Sequence, residues 1–263
     1  MVHFVGAGPG APDLITRRGA ALLADADCII YAGSLVNPAL LGLAKSGCAI
    51  YNSAEMTLEQ VLAVMKENEA AHKTTVRLHT GDPCLYGAIQ EQMDALDARG
   101  VDYEVVPGVS SFCGAAAALR QEYTLPGISQ SVVITRLSGR TPMPAGEGMR
   151  TMAESGSTMV IFLSSGMLAE LSAELLAAGR SSDEPAALVY KATWPEERVV
   201  RCTVGTLADA GAREGIDRTA LVVVGRVLGA RGRLAHNGAQ AESYERSKLY
   251  DPSFSTGYRK ASS

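Results

Sequence analysis

Two stretches of the chain bring together residue types that could hold a small molecule. The first is Val76-Arg-Leu-His-Thr-Gly81-Asp82-Pro83-Cys-Leu-Tyr86-Gly87, in which a strand-like segment breaks into a Gly-Asp-Pro loop and a helical pattern resumes at Ala88. Glycine lets backbone approach a ligand closely, and the neighbouring carboxylate can accept several hydrogen bonds. The second is Val5-Gly6-Ala-Gly8-Pro9-Gly10, another strand-to-glycine transition. If both strands lie in one parallel sheet, both loops fall on its carboxyl edge, where such sheets bind ligands. The glycines do not form a dinucleotide fingerprint: Ala11 stands where Gly-x-Gly-x-x-Gly needs its third glycine, and Tyr31-Ala32-Gly33 offers no acid for a ribose hydroxyl. Pro9 also removes a backbone N–H that could grip a pyrophosphate. A nucleotide-dependent oxidoreductase is the alternative these residues oppose.

Other chemistries lack their parts. Histidines 3, 72, 79 and 236 show neither metal nor catalytic-triad spacing, and the five cysteines are scattered without a Cys-x-x-Cys pair. No metal is expected, and reduced thiols fit a cytoplasmic protein. A net charge of -4 argues against a nucleic-acid partner. No apolar run reaches the roughly 18 residues of a membrane span, and the first residues read as a strand rather than a signal peptide.

Periodicity supplies the elements that would position these loops. Strands are expected at His3 to Val5, Cys28 to Tyr31, Val76 to Leu78 and Tyr103 to Val106, with helices over Arg17 to Ala26, Thr57 to Asn68 and Ile89 to Arg99. Thr57 and Gln60 have capping-box spacing. The alternation predicts a mainly parallel sheet with helices on both faces. An alanine-rich helix from Phe112 forms a bridge, with the boundary near Gly114. Beyond it, strands at Ser131 to Thr135, Met159 to Leu163, Ala187 to Tyr190, Glu197 to Thr203 and Ala220 to Val224, and a helix over Met167 to Ala178, predict a mixed sheet. The fold class is therefore α/β, with two α/β domains and a cleft between them: 1–113, 114–235 and a tail, 236–263. Arg140 to Gly148 reads as a loop, and the tail's Tyr244, Tyr250, Phe254 and Tyr258 suggest that it docks.

The opening Val5-Gly-Ala-Gly-Pro-Gly-Ala-Pro-Asp13-Leu-Ile-Thr16-Arg-Arg-Gly19, followed by His79 to Gly87 and Val105-Val-Pro-Gly108-Val-Ser-Ser111, resembles the S-adenosylmethionine-dependent tetrapyrrole methylases of siroheme and cobalamin synthesis. Three motifs in order carry that likeness. Ala192-Thr-Trp194-Pro-Glu-Glu197 and the tail from Ser247 to Arg259 are similar to the branch that methylates carbon 11 of precorrin-4 or cobalt-precorrin-4. A methylase of another tetrapyrrole carbon, such as those of uroporphyrinogen-III, is the nearest alternative. The resemblance implies S-adenosyl-L-methionine as cofactor, S-adenosyl-L-homocysteine as product and a homodimer. By the same resemblance, Pro9, Thr80, Gly81, Asp82, Leu85, Ser110, Ser111, Leu163 and Ala192 touch the cofactor. Arg17, Arg136, Lys191 and Arg198 are the candidates for binding the macrocycle's carboxylates, because guanidinium and ammonium groups pair with them. No residue is assigned as general base.

Overall fold

The computed structural model describes residues 1–230, 244, 245 and 247–261. The chain divides into two units, the first comprising Met1–Ala115 with Lys191–Glu197, the second Ala116–Tyr190 with the chain from Arg198 onward. The division at 113/114 read from the sequence differs in placing Lys191–Glu197 in the second domain. The segment is a turn between two strands of the second sheet whose Thr193 and Trp194 pack on Gly10, Ala11 and Gly114 of the first unit.

The first unit holds β1 (Val2–Gly6), β2 (Cys28–Tyr31), β3 (Ala49–Asn52), β4 (Thr75–His79) and β5 (Tyr103–Val106), in the order β3-β2-β4-β1-β5. All four pairings are parallel. Its helices are α1 (Arg17–Asp25), α2 (Leu58–Ala70) and α3 (Gln90–Asp97), and α4 (Ser111–Leu119) runs across the boundary. Helix α2 starts where the sequence predicts, since the Gln60 N–H donates to the Thr57 hydroxyl and the Thr57 N–H to the Gln60 side chain. Alternate residues feed two apolar layers. Val5, Ile29, Val76 and Leu78 pack with Leu23, Val36 and Leu40, while Phe4, Cys28 and Ile30 pack with Val61, Met65, Ile89 and Leu96. A sheet covered on both faces is why its inner strands read as unbroken apolar runs. The edge strand β3 was not legible that way, because Ile50 and Tyr51 remain exposed.

The second unit holds β6 (Val132–Arg136), β7 (Thr158–Phe162), β8 (Pro185–Tyr190), β9 (Arg198–Thr203) and β10 (Ala220–Val224), in the order β6-β7-β10-β8-β9. Only β6 and β7 pair parallel, which gives the expected mixed sheet. Helices α5 (Met149–Ala153), α6 (Leu168–Ala177) and α7 (Leu207–Glu214) bury Met149, Leu171, Leu175 and Leu207 against Met159, Ile161, Leu188 and Val222. His236 and the start of the tail lie outside the described residues. Over 247–261 the chain folds around Asp251, whose carboxylate accepts from Ser253 and Lys248 and whose carbonyl accepts from Arg259. The Ser253 and Lys248 donors hold the Asp251 carboxyl far below the ordinary carboxylate range.

Candidate functional site

Three loops meet at the carboxyl edge of the first sheet, after β1, β4 and β5. The Ala7 N–H donates to the His79 carbonyl at 2.7 Å, and Gly8 and Gly81 exchange N–H···O bonds of 3.3 and 2.9 Å. Gly81 has φ of 62°, a region glycine enters without the Cβ penalty. A Cβ on Gly6 would lie 2.5 Å from the Gly108 Cα, and one on Gly108 would overlap the Gly81 carbonyl oxygen. The ends of three strands thus touch backbone to backbone, a packing that no larger residue permits. Asp82 staples the assembly. Its Oδ2 accepts from the Gly108 N–H at 2.9 Å and its Oδ1 from the Cys84 N–H at 2.8 Å. Both carboxylate oxygens thus have backbone donors, although a carboxylate has about four acceptor positions and keeps capacity for a ligand. Ser110 and Ser111 begin the next turn, with the Ser110 carbonyl accepting from Cys113 and Gly114 and its Cα 3.4 Å from where a Gly81 Cβ would sit.

The first glycine loop is braced from the far part of the chain. The Ala11 N–H donates to Thr193 Oγ1 at 3.0 Å, and Asn37 Nδ2 donates to the Gly10 carbonyl at 2.8 Å. The Trp194 indole lies over Gly10 so closely that a Cβ there would overlap the ring. Pro9 packs on Gly114, whose Cβ would stand 3.0 Å from it. Lys191 and Thr193 take φ of 45° and 69°, conformations that cost a non-glycine residue on the order of 1–3 kcal/mol. Glu197 helps hold them by accepting from the Thr193 N–H at 2.6 Å. Ala192, between them, is buried. Lys191 itself pairs with Glu196 at 3.4 Å and lies 5.4 Å from the Trp194 ring centre.

The other expected site residues fall in several places. Thr80 and Leu85 are half-buried in the loop after β4. Arg17 is exposed at the start of α1, and its side chain makes no hydrogen bond or ion pair among the described residues. Leu163, in the second unit, follows β7 with φ of 53° and is 64% exposed, an apolar side chain held outward on strained backbone. Arg136 donates to the carbonyls of Thr141 and Pro142, and so shapes the loop after β6. Arg198 donates to the Glu214 carbonyl and lies over the Tyr190 ring. Sequence reasoning missed the mutual contact of Gly6, Gly81 and Gly108, and the Thr193 and Trp194 brace, because the partners are far apart in the chain.

The titratable groups near the edge suit binding better than acid–base work. His79 is 3% exposed, and burial first and Arg77 second push its pKa down to about 3, so the imidazole is neutral at neutral pH. The exposed Cys84 thiol is raised, mainly by desolvation and then by Asp82, which leaves it a thiol rather than a reactive thiolate. Among the described residues no three His, Cys, Asp or Glu side chains gather into a metal site, and no helix is long and apolar enough to cross a membrane. An edge of close-approach glycines, hydroxyls at Thr80, Ser110 and Ser111, and one carboxylate can hold a polar ligand that has no phosphate.

Comparison with known proteins gives this arrangement its place. Over 260 residues the chain is 48% identical to a cobalt-precorrin-4 C(11)-methyltransferase of Methanocaldococcus jannaschii, covering 99% of this chain and 96% of that protein. The X-ray structure of a cobalt precorrin-4 methyltransferase superposes with a TM-score of 0.85 at 45% identity, covering 86% and 95% of the two chains. A uroporphyrin-III C-methyl transferase from Thermus thermophilus, solved with S-adenosylhomocysteine, superposes at 0.72 and 29% identity, covering 86% and 98%. Residues 1–208 match the family model of Tetrapyrrole (Corrin/Porphyrin) Methylases, and the chain belongs to that family.

Proposed function

We propose that this protein is an S-adenosylmethionine-dependent C-methyltransferase that methylates carbon 11 of precorrin-4 or cobalt-precorrin-4 in cobalamin synthesis. The observation that carries the reading is full-length likeness to the Methanocaldococcus enzyme, at an identity well above that to the uroporphyrin-III enzyme. The glycine edge fits the cofactor. The cofactor has an adenine, a ribose diol and an amino-acid end but no phosphate, and the edge offers carbonyls, N–H groups, hydroxyls and residual Asp82 acceptor capacity. Pro9, Thr80, Gly81, Asp82, Leu85, Ser110, Ser111 and Ala192 are the first unit's candidate contacts, and Leu163 is the second unit's.

When bound, the cofactor supplies a methyl group already activated on sulfonium, so the protein needs no nucleophile of its own. Its residues then have to place the acceptor carbon in line and exclude water. The neutral His79 and the protonated Cys84 agree with that division of labour. Arg17, with its guanidinium exposed, is the first candidate for a macrocycle carboxylate. Arg136, Lys191 and Arg198 already serve their own loops and follow it. The working form is a homodimer in the cytoplasm, and the domains divide near residue 114.

The test is mass spectrometry of the macrocycle after incubation with methyl-labelled S-adenosylmethionine and precorrin-4, with and without cobalt. One labelled methyl, located at carbon 11, is the expected result and tells which form is the substrate. No label on either form, with label appearing on uroporphyrinogen-III, would overturn the acceptor assignment.

A further inference from the structure

Beneath the Gly-Asp-Pro loop lies a buried cation without a counter-ion. Arg77, in the middle of β4, is 7% exposed, and no carboxylate among the described residues pairs with it. Its Nη1 donates to the Ile30 carbonyl on β2 at 3.1 Å and its Nε to the Gln92 Oε1 on α3 at 3.1 Å. Burial brings its pKa down only to about 10, so it remains charged at neutral pH. Gln92 is itself buried, and its Nε2 donates to the Ala88 carbonyl at 2.9 Å. The orientation of the amide follows from its neighbours, because an arginine only donates and a carbonyl only accepts.

Ala88 is where the loop that began at Thr80 ends, and it has φ of 49°; two residues earlier Tyr86 has φ of 57°. Neither is glycine, and such backbone persists only where its surroundings hold it. At the other end of the loop Asp82 ties the chain to Gly108 and Cys84. We infer that Gln92 is a positioning residue for the cofactor loop, a buried amide that links the Arg77 anchorage on β2 and β4 to the Ala88 carbonyl and so fixes the loop's far end. The chemistry explains why glutamine stands there. A glutamate would serve Arg77 better, as a charged acceptor, but could not donate to Ala88, and an apolar side chain would serve neither.

The inference rests on the cofactor reading of the loop, and the variants separate the two roles. In Gln92→Glu the carboxylate beside Arg77 stays ionised, so the melting temperature should hold or rise. Its dissociation constant for S-adenosylhomocysteine, measured by calorimetry, should nevertheless rise about three- to tenfold, the scale of one lost hydrogen bond. Gln92→Met, which loses both bonds, should melt lower and bind as weakly as Gln92→Glu. Wild-type affinity in Gln92→Glu would overturn the inference. So would a Gln92→Glu variant that melts as low as Gln92→Met, because the amide would then only support the core. Failure of the wild-type protein to bind S-adenosylhomocysteine would instead overturn the cofactor reading.

Discussion

At the carboxyl edge of the first sheet Gly6, Gly81 and Gly108 meet backbone to backbone, and Asp82 pins them with hydrogen bonds. In the second unit the joining of strands to helices falls to side chains, with Leu171, Leu175, Ile161, Leu188 and Val222 in one continuous apolar cluster. The first arrangement has no room for an added atom, whereas the second is sensitive to a missing one. The contrast separates two ways of joining strands to their neighbours. Glycine contact lets main chain from separate strands hydrogen-bond directly, whereas an apolar cluster joins elements through side-chain packing.

The largest break in the comparison should come from Gly108→Ala. Its Cβ would overlap the Gly81 carbonyl and stand 2.7 Å from the Gly6 Cα, backbone on both sides. A loss of about 4 kcal/mol by denaturant titration, together with loss of S-adenosylhomocysteine binding, is expected. Leu171→Ala probes the other unit, where a fully buried side chain would leave a cavity. It should cost about 3 kcal/mol while cofactor affinity by calorimetry stays unchanged; a parallel fall in affinity would erase the distinction between the two regions.

Asp82→Ala sharpens the comparison inside the first unit. Two backbone donors lose their acceptor, for about 2 kcal/mol in the same titration, and cofactor affinity should fall with the loosened loops. Wild-type affinity would confine Asp82 to stapling. The smallest effect, in the pH range just below 6.5, is a pH dependence. The folded pKa of His79, about 3, lies below that of a free imidazole, so as pH falls through about 6.5 the unfolded chain takes up the proton first. Stability should be complete above that pH and fall by roughly 1 kcal/mol per pH unit below it. In His79→Leu this part of the slope should vanish, and an unchanged slope would assign acid sensitivity to other groups.

Much of this was legible in the chain. The strands from Val2 to Gly6 and from Thr75 to His79 appeared as short apolar runs ending in glycine or Thr-Gly-Asp-Pro, and the capping box of Thr57 and Gln60 placed a helix start. What stayed hidden shares one property. β3 has an exposed edge pattern, and α7 is only eight residues long, with Leu207, Ala210 and Gly211 as its buried face. Arg77 reaches Gln92 on a helix and Ile30 on another strand, partners 15 and 47 residues away with no regular sequence spacing.

By itself, then, the sequence determined local conformation and the supply of chemistry: alternating strands and helices, glycine loops after β1 and β4, a carboxylate at position 82, and no nucleophile set. Those follow from backbone sterics and side-chain type within a few residues. Only the tertiary structure decided that the two glycine loops and Gly108 meet, that Asp82 spends two acceptor positions on backbone, and that Trp194 braces Gly10 from the other end of the chain. The glycine contacts are set by the strand order β3-β2-β4-β1-β5, and the Trp194 contact by the turn between β8 and β9. Sequence neighbours do not encode that order, because many foldings of the same local elements bury equivalent apolar area.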